Sequence, residues 1–371
     1  MDEQQLLITK IAEKGHNLLL TGCPGKGKTF TLSRICDKLT ISGRRIALTA
    51  STRKAASVLK EYVCTEINVT TIHRFSSIKD GRFLNDEILN LLLYNDDFPK
   101  NKCNILNVDV VVIYEVSMLS LKVFNQIEFL FRRVRSSYKP FGGVQVILSG
   151  DFYQLPLVPT PEYGDDGSSI ISSSLMEYFH HASLESTHRQ DEPDLIAAIH
   201  EISRCNVTLA TNQLICRMRR TLPPRENPVK VFARNFEVDL WNARSLCEME
   251  GEDHIYYSHE EGHAEGCDGL KELHLKVGCP VMLLVNISDE LVNGLTGEVM
   301  ETNAANVSVY FPLLKRQVFV EQYAFTKYSV QLQKDVGTRC QIPLKLAFAL
   351  TVHKAQGLAL ERVSVDCQNM S

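Results

Sequence analysis

A glycine-rich octapeptide lies between a strand and a helix near the start of this chain, and few folds accommodate that arrangement. Leu18-Leu19-Leu20 reads as a strand buried on both faces, as in a parallel sheet. It runs into Gly22-Cys23-Pro24-Gly25-Lys26-Gly27-Lys28-Thr29, which fits the P-loop pattern G-x-x-x-x-G-K-[ST] at every fixed position. Leu32, Ile35, Cys36 and Leu39 then recur at helical spacing. Gly22, Gly25 and Gly27 let backbone N–H groups close around phosphate oxygens, and the helix adds its positive N-terminal end. Lys28 is placed to reach outer phosphates, and the Thr29 hydroxyl to ligate Mg²⁺. A glycine-rich turn that binds nothing is the alternative, and the flanking strand and helix argue against it.

Three further runs read as strands: Arg45 to Thr49, Val108 to Ile113 and Val144 to Leu148. Each discharges polar residues at its carboxyl end, which matches a doubly wound sheet whose ligands collect there. After the second of these, a P-loop enzyme carries an acidic pair, one carboxylate near the metal and one polarising the attacking water. Glu115 is present, but its neighbour is Tyr114, which has no carboxylate. After the third, Gln154 is placed to sense a γ-phosphate. Arg189, in LESTHRQ, is a candidate for the phosphates, with a surface salt bridge as the alternative. Upstream, Gln4 to Ile11 looks helical; a glutamine amide there can read an adenine edge, although a solvated glutamine is commoner.

Other segments carry weaker signals. Thr49, Ser51 and Thr52 suit contact with a nucleic-acid backbone, but equally an N-cap for a helix over Arg53 to Lys60, the reading favoured from these residues alone. Thr71 to Phe75 mixes a ring, a basic residue and hydroxyls, with His73 and Phe75 as stacking or contact candidates. Residues 76–103 look polar and irregular, an insertion between core elements. Residues 191–205 look helical and open a second half, broken by Thr221-Leu222-Pro223-Pro224 before a strand over Val229 to Arg234. His259-Glu260-Glu261-Gly262-His263 matches H-E-x-x-H by letter, but its loop-like setting argues against the helix that zinc ligation requires. Leu275 to Val285 reads as a strand pair around Gly278, and short β-prone runs between 298 and 341 suggest a small β-barrel.

Composition narrows the function classes. A net charge of −4 over 371 residues means that any nucleic-acid surface is a local patch. Eleven cysteines scattered without a C-x-x-C argue for a reducing compartment and against a disulfide framework or zinc site. The polar start and lack of a long apolar run read as no leader and no membrane anchor.

Taken in order, these motifs resemble superfamily-one B DNA helicases, specifically the petite-integration-frequency (PIF) family. The likeness covers essentially the whole chain. It rests on Gln5, the P-loop, TAST at Thr49, TIHRF at Thr71, KPFGGVQVILSGDFYQLP, LKVGCPVMLL, LVNGLTGEV and LTVHKAQGL, with Phe124 to Pro156 the most diagnostic stretch. The resemblance implies an α/β protein of two RecA-like P-loop domains with parallel sheets. The first would be 1–190 with an insertion at 76–104; the second, 191–371, would carry the β-rich insertion at 298–341. It implies ATP with Mg²⁺ in a cleft, single-stranded DNA across the domain tops, and 5′-to-3′ stepping by a monomer serving genome maintenance. Gln5 would read adenine; Lys28 and Thr29 would hold phosphate and metal; Glu115 would activate water; Gln154 and Arg189 would contact the γ-phosphate. Thr49, Ser51, Thr52, His73, Phe75, Thr351 and His353 would line the DNA track. The expected location is intracellular, nuclear with the mitochondrion as alternative. Two departures stand out: the family has aspartate where this chain has Tyr114, and the chain stops at Ser371, before the family's last motif. The competing readings are therefore a nucleotide- and DNA-binding remnant with impaired hydrolysis, and a P-loop scaffold with no DNA role.

Overall fold

The computed structural model describes all residues except 24, 64–66, 95–98, 156, 185–192, 220–227, 289, 330, 333, 357, 359, 361 and 368–371, and no side chains at 99 and 100. It divides into two compact units, Met1–Arg220 and Thr221–Ser371. Among the described residues, no helix is long and apolar enough to cross a membrane.

The first unit opens with α1 (Glu3–Glu13), started by a reciprocal capping box: Asp2 Oδ1 accepts from the Gln5 N–H, and Gln5 Oε1 accepts from the Asp2 N–H. Then follow β1 (Leu18–Thr21), α2 (Lys28–Ile41), β2 (Ile46–Ala50), α3 (Arg53–Tyr62), β3 (Thr70–Thr71), α4 (Ile72–Ser76), α5 (Asn85–Tyr94), α6 (Pro99–Asn107), β4 (Val110–Tyr114), α7 (Leu121–Val134), β5 (Gln145–Ser149), β6 (His180–Ser183), α8 (Pro193–Ser203) and α9 (Leu209–Met218). Their strands form one parallel sheet in the order β3-β2-β4-β5-β1-β6. Every residue of β4 and β5 is buried, as expected for strands covered on both faces. The four strands anticipated from hydrophobic runs are its interior, while β3 and β6, short and polar, carry no such signal.

Two expectations for this unit are corrected. Residues 76–103 are not irregular: they contain α5 and most of α6, and Ile88, Leu89, Leu92 and Ile105 are buried. The apolar positions of α5 form a narrow helical stripe that the surrounding polar residues obscured. Asn95, Asp96 and Asp97 lie outside the described residues. The helix after residue 190 does not open the second half, because α8 packs on α9 inside the first unit.

The second unit contains β7 (Val229–Phe232), α10 (Asn235–Glu248), β8 (His254–Tyr257), β9 (His259–Gly262), β10 (Glu272–Leu275), β11 (Pro280–Leu283), β12 (Thr296–Thr302), β13 (Asn306–Phe311), β14 (Arg316–Glu321), β15 (Tyr323–Ser329), β16 (Lys334–Gln341), β17 (Leu344–Leu346), β18 (Ala349–Thr351), α11 (Val352–Ala355) and β19 (Val363–Val365). β7 pairs in parallel with both β18 and β19, a small RecA-like sheet. Asn242 on α10 fastens it: the amide donates to the Leu346 and Ala349 carbonyls at 3.1 and 3.3 Å and accepts from the Ala349 N–H at 2.8 Å. The β-rich insertion is antiparallel, with one sheet ordered β14-β13-β12-β11-β17 and another β15-β16-β9.

The insertion differs from expectation in two ways. It recruits β9, β11 and β17 from outside 298–341, because a half-buried strand needs partners wherever the chain supplies them. The strands flanking Gly278 do not pair with each other: β10 pairs with β8, and β11 with β12 and β17. His259 to Gly262 is a strand, so its two imidazoles lack the helical spacing of a zinc protease.

Candidate nucleotide-binding site

The loop from Gly22 to Gly27 joins β1 to α2. Gly25 and Gly27 hold φ of +81° and +80°, a region that disfavours side chains, and Gly27 is the N-cap of α2. The helix therefore presents its unpaired N–H groups to the loop. Lys28 folds back over this turn, its Nζ donating to the carbonyls of Gly22 and, at 3.3 Å, Cys23. Burial pulls the Lys28 pKa down, while the negative charges of Asp151 and Glu115 push it back up.

Those acids come from the carboxyl ends of β4 and β5. Glu115 follows β4 in the left-handed region, at φ +54° and ψ +46°, a conformation that costs a side-chain-bearing residue about 1–2 kcal/mol. Burial raises the Glu115 pKa; Lys28 and a hydrogen bond from Tyr114 act against that rise. A carboxylate lifted in this way is a better proton acceptor than one in water. Asp151, 2% exposed, accepts from the Tyr153 N–H at 3.1 Å and from Gln154 Nε2 at 3.3 Å. Gln154 is thereby positioned beside the Lys28 counter-charge. Asp151 is a member of the site that motif reading passed over, although a carboxylate just beyond a buried strand was the available signal.

Tyr114 is 7% exposed and its hydroxyl lies 3.0 Å from Thr29 Oγ1. Burial, with help from the nearby Glu115 charge, raises the phenol pKa to about 12, so it is neutral near pH 7. The residues at this corner do not fit a divalent cation. Mg²⁺ is held through carboxylates together with phosphate oxygens and water, and here the expected metal-binding hydroxyl of Thr29 is hydrogen-bonded to a neutral phenol. Nearby, the buried hydroxyls of Ser51, Ser117 and Ser149 have no partner among the described residues. Ser149 is the ladder neighbour of Tyr114, and the Ser51 N–H donates to the Tyr114 carbonyl at 3.0 Å.

The expected DNA-facing residues separate into groups. Thr49 is fully buried and its hydroxyl donates to the Val112 carbonyl at 2.5 Å, which removes it from any surface track. Phe75 is also buried, its ring 6.2 Å from that of Phe131, so it is core and not a stacking platform. Thr52 caps α3 through the Ala55 N–H at 3.1 Å, as the cap reading has it, and Thr351 caps α11 through the Lys354 N–H at 3.3 Å. Ser51 is buried beside Tyr114. His73 is half-buried; burial lowers its pKa, opposed by Asp80 and a hydrogen bond to the Ser51 backbone. His353 is exposed. Gln5 is buried, with Oε1 turned into the cap of its own helix. Arg189 lies outside the described residues.

Comparison with known proteins accords with this geometry. The family profile for PIF1-like helicases matches residues 1–204, and that for the 2B domain of DNA helicase Pif1 matches residues 268–301. The ATP-dependent DNA helicase PIF1 of Emericella nidulans is 28% identical across 98% of this chain and 56% of its own length. The Homo sapiens protein of the same name is 29% identical across 99% of this chain and 56% of its own. The chain thus spans about half the length of these curated relatives. Among solved structures, Pif1 helicase from Candida albicans matches with a TM-score of 0.78 at 27% identity, covering 100% of this chain and 90% of that one. Bacteroides Pif1 in complex with ADP-AlF3 and single-stranded DNA matches at 0.77 and 26% identity, covering 98% and 86%. With a P-loop on a RecA-like sheet, a parallel second unit carrying a β insertion, and a profile match over more than half of its length, this chain belongs to the PIF1-like helicase family.

Proposed function

We propose that this protein is an ATP-dependent DNA motor of the PIF type, moving 5′ to 3′ as a monomer on single-stranded DNA in genome maintenance. The single observation that carries the reading is Lys28 in its P-loop, facing the Glu115 carboxylate across the strand ends of one parallel sheet. Lys28 and the α2 N-terminus grip the phosphates, Gln154 reports the terminal one, and Glu115 takes the proton of the attacking water. Thr52, His73 and His353 supply the DNA-facing candidates that stand once the buried Thr49, Ser51, Phe75 and Thr351 are set aside. The test is phosphate release with and without oligo-dT, together with unwinding of duplexes bearing a 5′ or a 3′ tail. Stimulated release and opening of the 5′-tailed duplex are expected; a preference for the 3′ tail overturns the direction.

Tyr114 favours a second reading, a protein that binds nucleotide and DNA but turns over poorly. Its neutral hydroxyl brings no negative charge to the corner where catalysis needs a carboxylate. Salt-sensitive binding of oligo-dT without phosphate release supports this version, whereas absence of any oligo-dT binding removes both.

A further inference from the structure

In a P-loop the threonine hydroxyl ordinarily meets a cation bridging the nucleotide's phosphates. Here Thr29 Oγ1 meets the Tyr114 hydroxyl at 3.0 Å instead. The phenol cannot swing aside cheaply. Its ring belongs to the core of the first unit with Leu20, Leu48 and Val112, and its backbone is laddered to both Ala50 and Ser149. A phenol oxygen is neutral, so it does not hold a hydrated dication as a carboxylate does. The carboxylates close by are engaged: Glu115 with Tyr114, and Asp151 with the Tyr153 N–H and Gln154 Nε2. A second lysine, Lys26, is buried in the loop as deeply as Lys28, both being 8% exposed. Both belong to the loop that leads into α2, which adds positive charge of the kind a metal would otherwise bring.

We propose that the Tyr114–Thr29 hydroxyl pair stands in place of the metal ion, so that this site takes a nucleoside triphosphate as the metal-free anion. Lys26, Lys28 and the start of α2 neutralise it, and the Thr29 hydroxyl, held by the Tyr114 oxygen, turns its one proton to the phosphate where the cation would sit. This inference rests on the reading of the loop as a nucleotide site. It concerns affinity and is independent of whether hydrolysis follows.

The experiment titrates the whole chain with a fluorescent ATP analogue in excess Mg²⁺ and again in excess EDTA. The wild-type dissociation constant is expected to change by less than about twofold between the two. Tyr114→Asp, which restores a carboxylate beside Thr29, is expected to bind about tenfold or more tightly with Mg²⁺ than with EDTA. Tyr114→Phe keeps the buried ring and the fold, and is expected to stay indifferent to metal while binding several-fold more weakly in both buffers. Should Tyr114→Asp fail to fold, the wild-type and Tyr114→Phe titrations decide the matter alone. Wild-type affinity that collapses in EDTA overturns the metal-free proposal and leaves the nucleotide site standing. Folded protein that binds the analogue in neither buffer overturns both.

Discussion

Gly142 sets up a quantitative test of how the most diagnostic sequence stretch works. It lies in the turn after α7 at φ +64°, and a Cβ added there would stand 2.6 Å from the Phe131 carbonyl oxygen and 2.8 Å from Arg135 Cδ. Both neighbours are committed. The Phe131 carbonyl accepts from the Arg135 N–H at 3.1 Å, and the Arg135 guanidinium donates to the carbonyls of Ile105, Leu106, Val108 and Gly142. Gly143 provides an internal control, since it is also left-handed, at φ +79°, yet its Cβ would meet only Lys139 Cδ at 3.6 Å. Left-handed backbone costs an alanine about 1–2 kcal/mol, offset by about 0.4–1 kcal/mol from the stiffer unfolded chain, so Gly143→Ala should lose about 1 kcal/mol. Gly142→Ala adds an overpacking penalty of about 1–3 kcal/mol, for a total near 3 kcal/mol. For a unit of this size 1 kcal/mol moves the midpoint by about 2–4 °C, giving about 6–12 °C for Gly142→Ala and about 2–4 °C for Gly143→Ala. Scanning calorimetry of the first unit's transition measures both. Equal shifts would show that backbone conformation alone matters, and would refute the close-approach argument.

Other perturbations follow the same reasoning. Lys28→Ala removes charge-assisted hydrogen bonds to phosphate valued at about 1.5–3 kcal/mol, so the dissociation constant for the ATP analogue should rise about 10- to 100-fold; unchanged affinity in the same titration would remove the site. Arg339, 5% exposed, donates to Glu260 at 2.7 Å and to the carbonyls of Cys267, Gly269 and Ala264. Arg339→Met leaves those acceptors without their donor; because Glu260 keeps access to water, the loss should fall at the low end for a broken buried pair, about 3 kcal/mol by urea unfolding of the second unit. Arg45 holds the Asp109 carboxyl down at about 2 through hydrogen bonds from its side chain and backbone. A depressed carboxyl stabilises the fold above its unfolded pKa, about 3.9, and loses that contribution as pH falls toward about 2. Asp109→Asn should therefore flatten the stability profile between about pH 4 and pH 2, where an unaltered slope would count against the pair.

The interior of the first sheet and its P-loop were legible because each depends on neighbours in sequence. Uninterrupted apolar runs become strands covered on both faces, and glycine spacing decides how tightly the loop turns. The edges β3 and β6 were not legible, since a two-residue and a histidine-rich strand acquire their ladders only from β2 and β1. Thr49 and Phe75 misled for a related reason. In a sheet buried on both faces, the step from inward to outward side chain has no polar alternation to mark it, and Phe75 points inward because Phe131, far along the chain, receives it.

Residue order by itself determined that a strand, a phosphate-gripping turn and a helix occur in succession, because their hydrogen bonds close within a few residues. Only tertiary structure could decide what the Thr29 hydroxyl meets. Its partner lies 85 positions away, on a strand brought alongside by the sheet's order. Likewise β16, which pairs with β15 nearby, finds its second partner in β9, from a segment that by its letters alone resembled a zinc motif. Contacts between distant positions depend on which surfaces the packed strands present to one another, and no local pattern of residues encodes that.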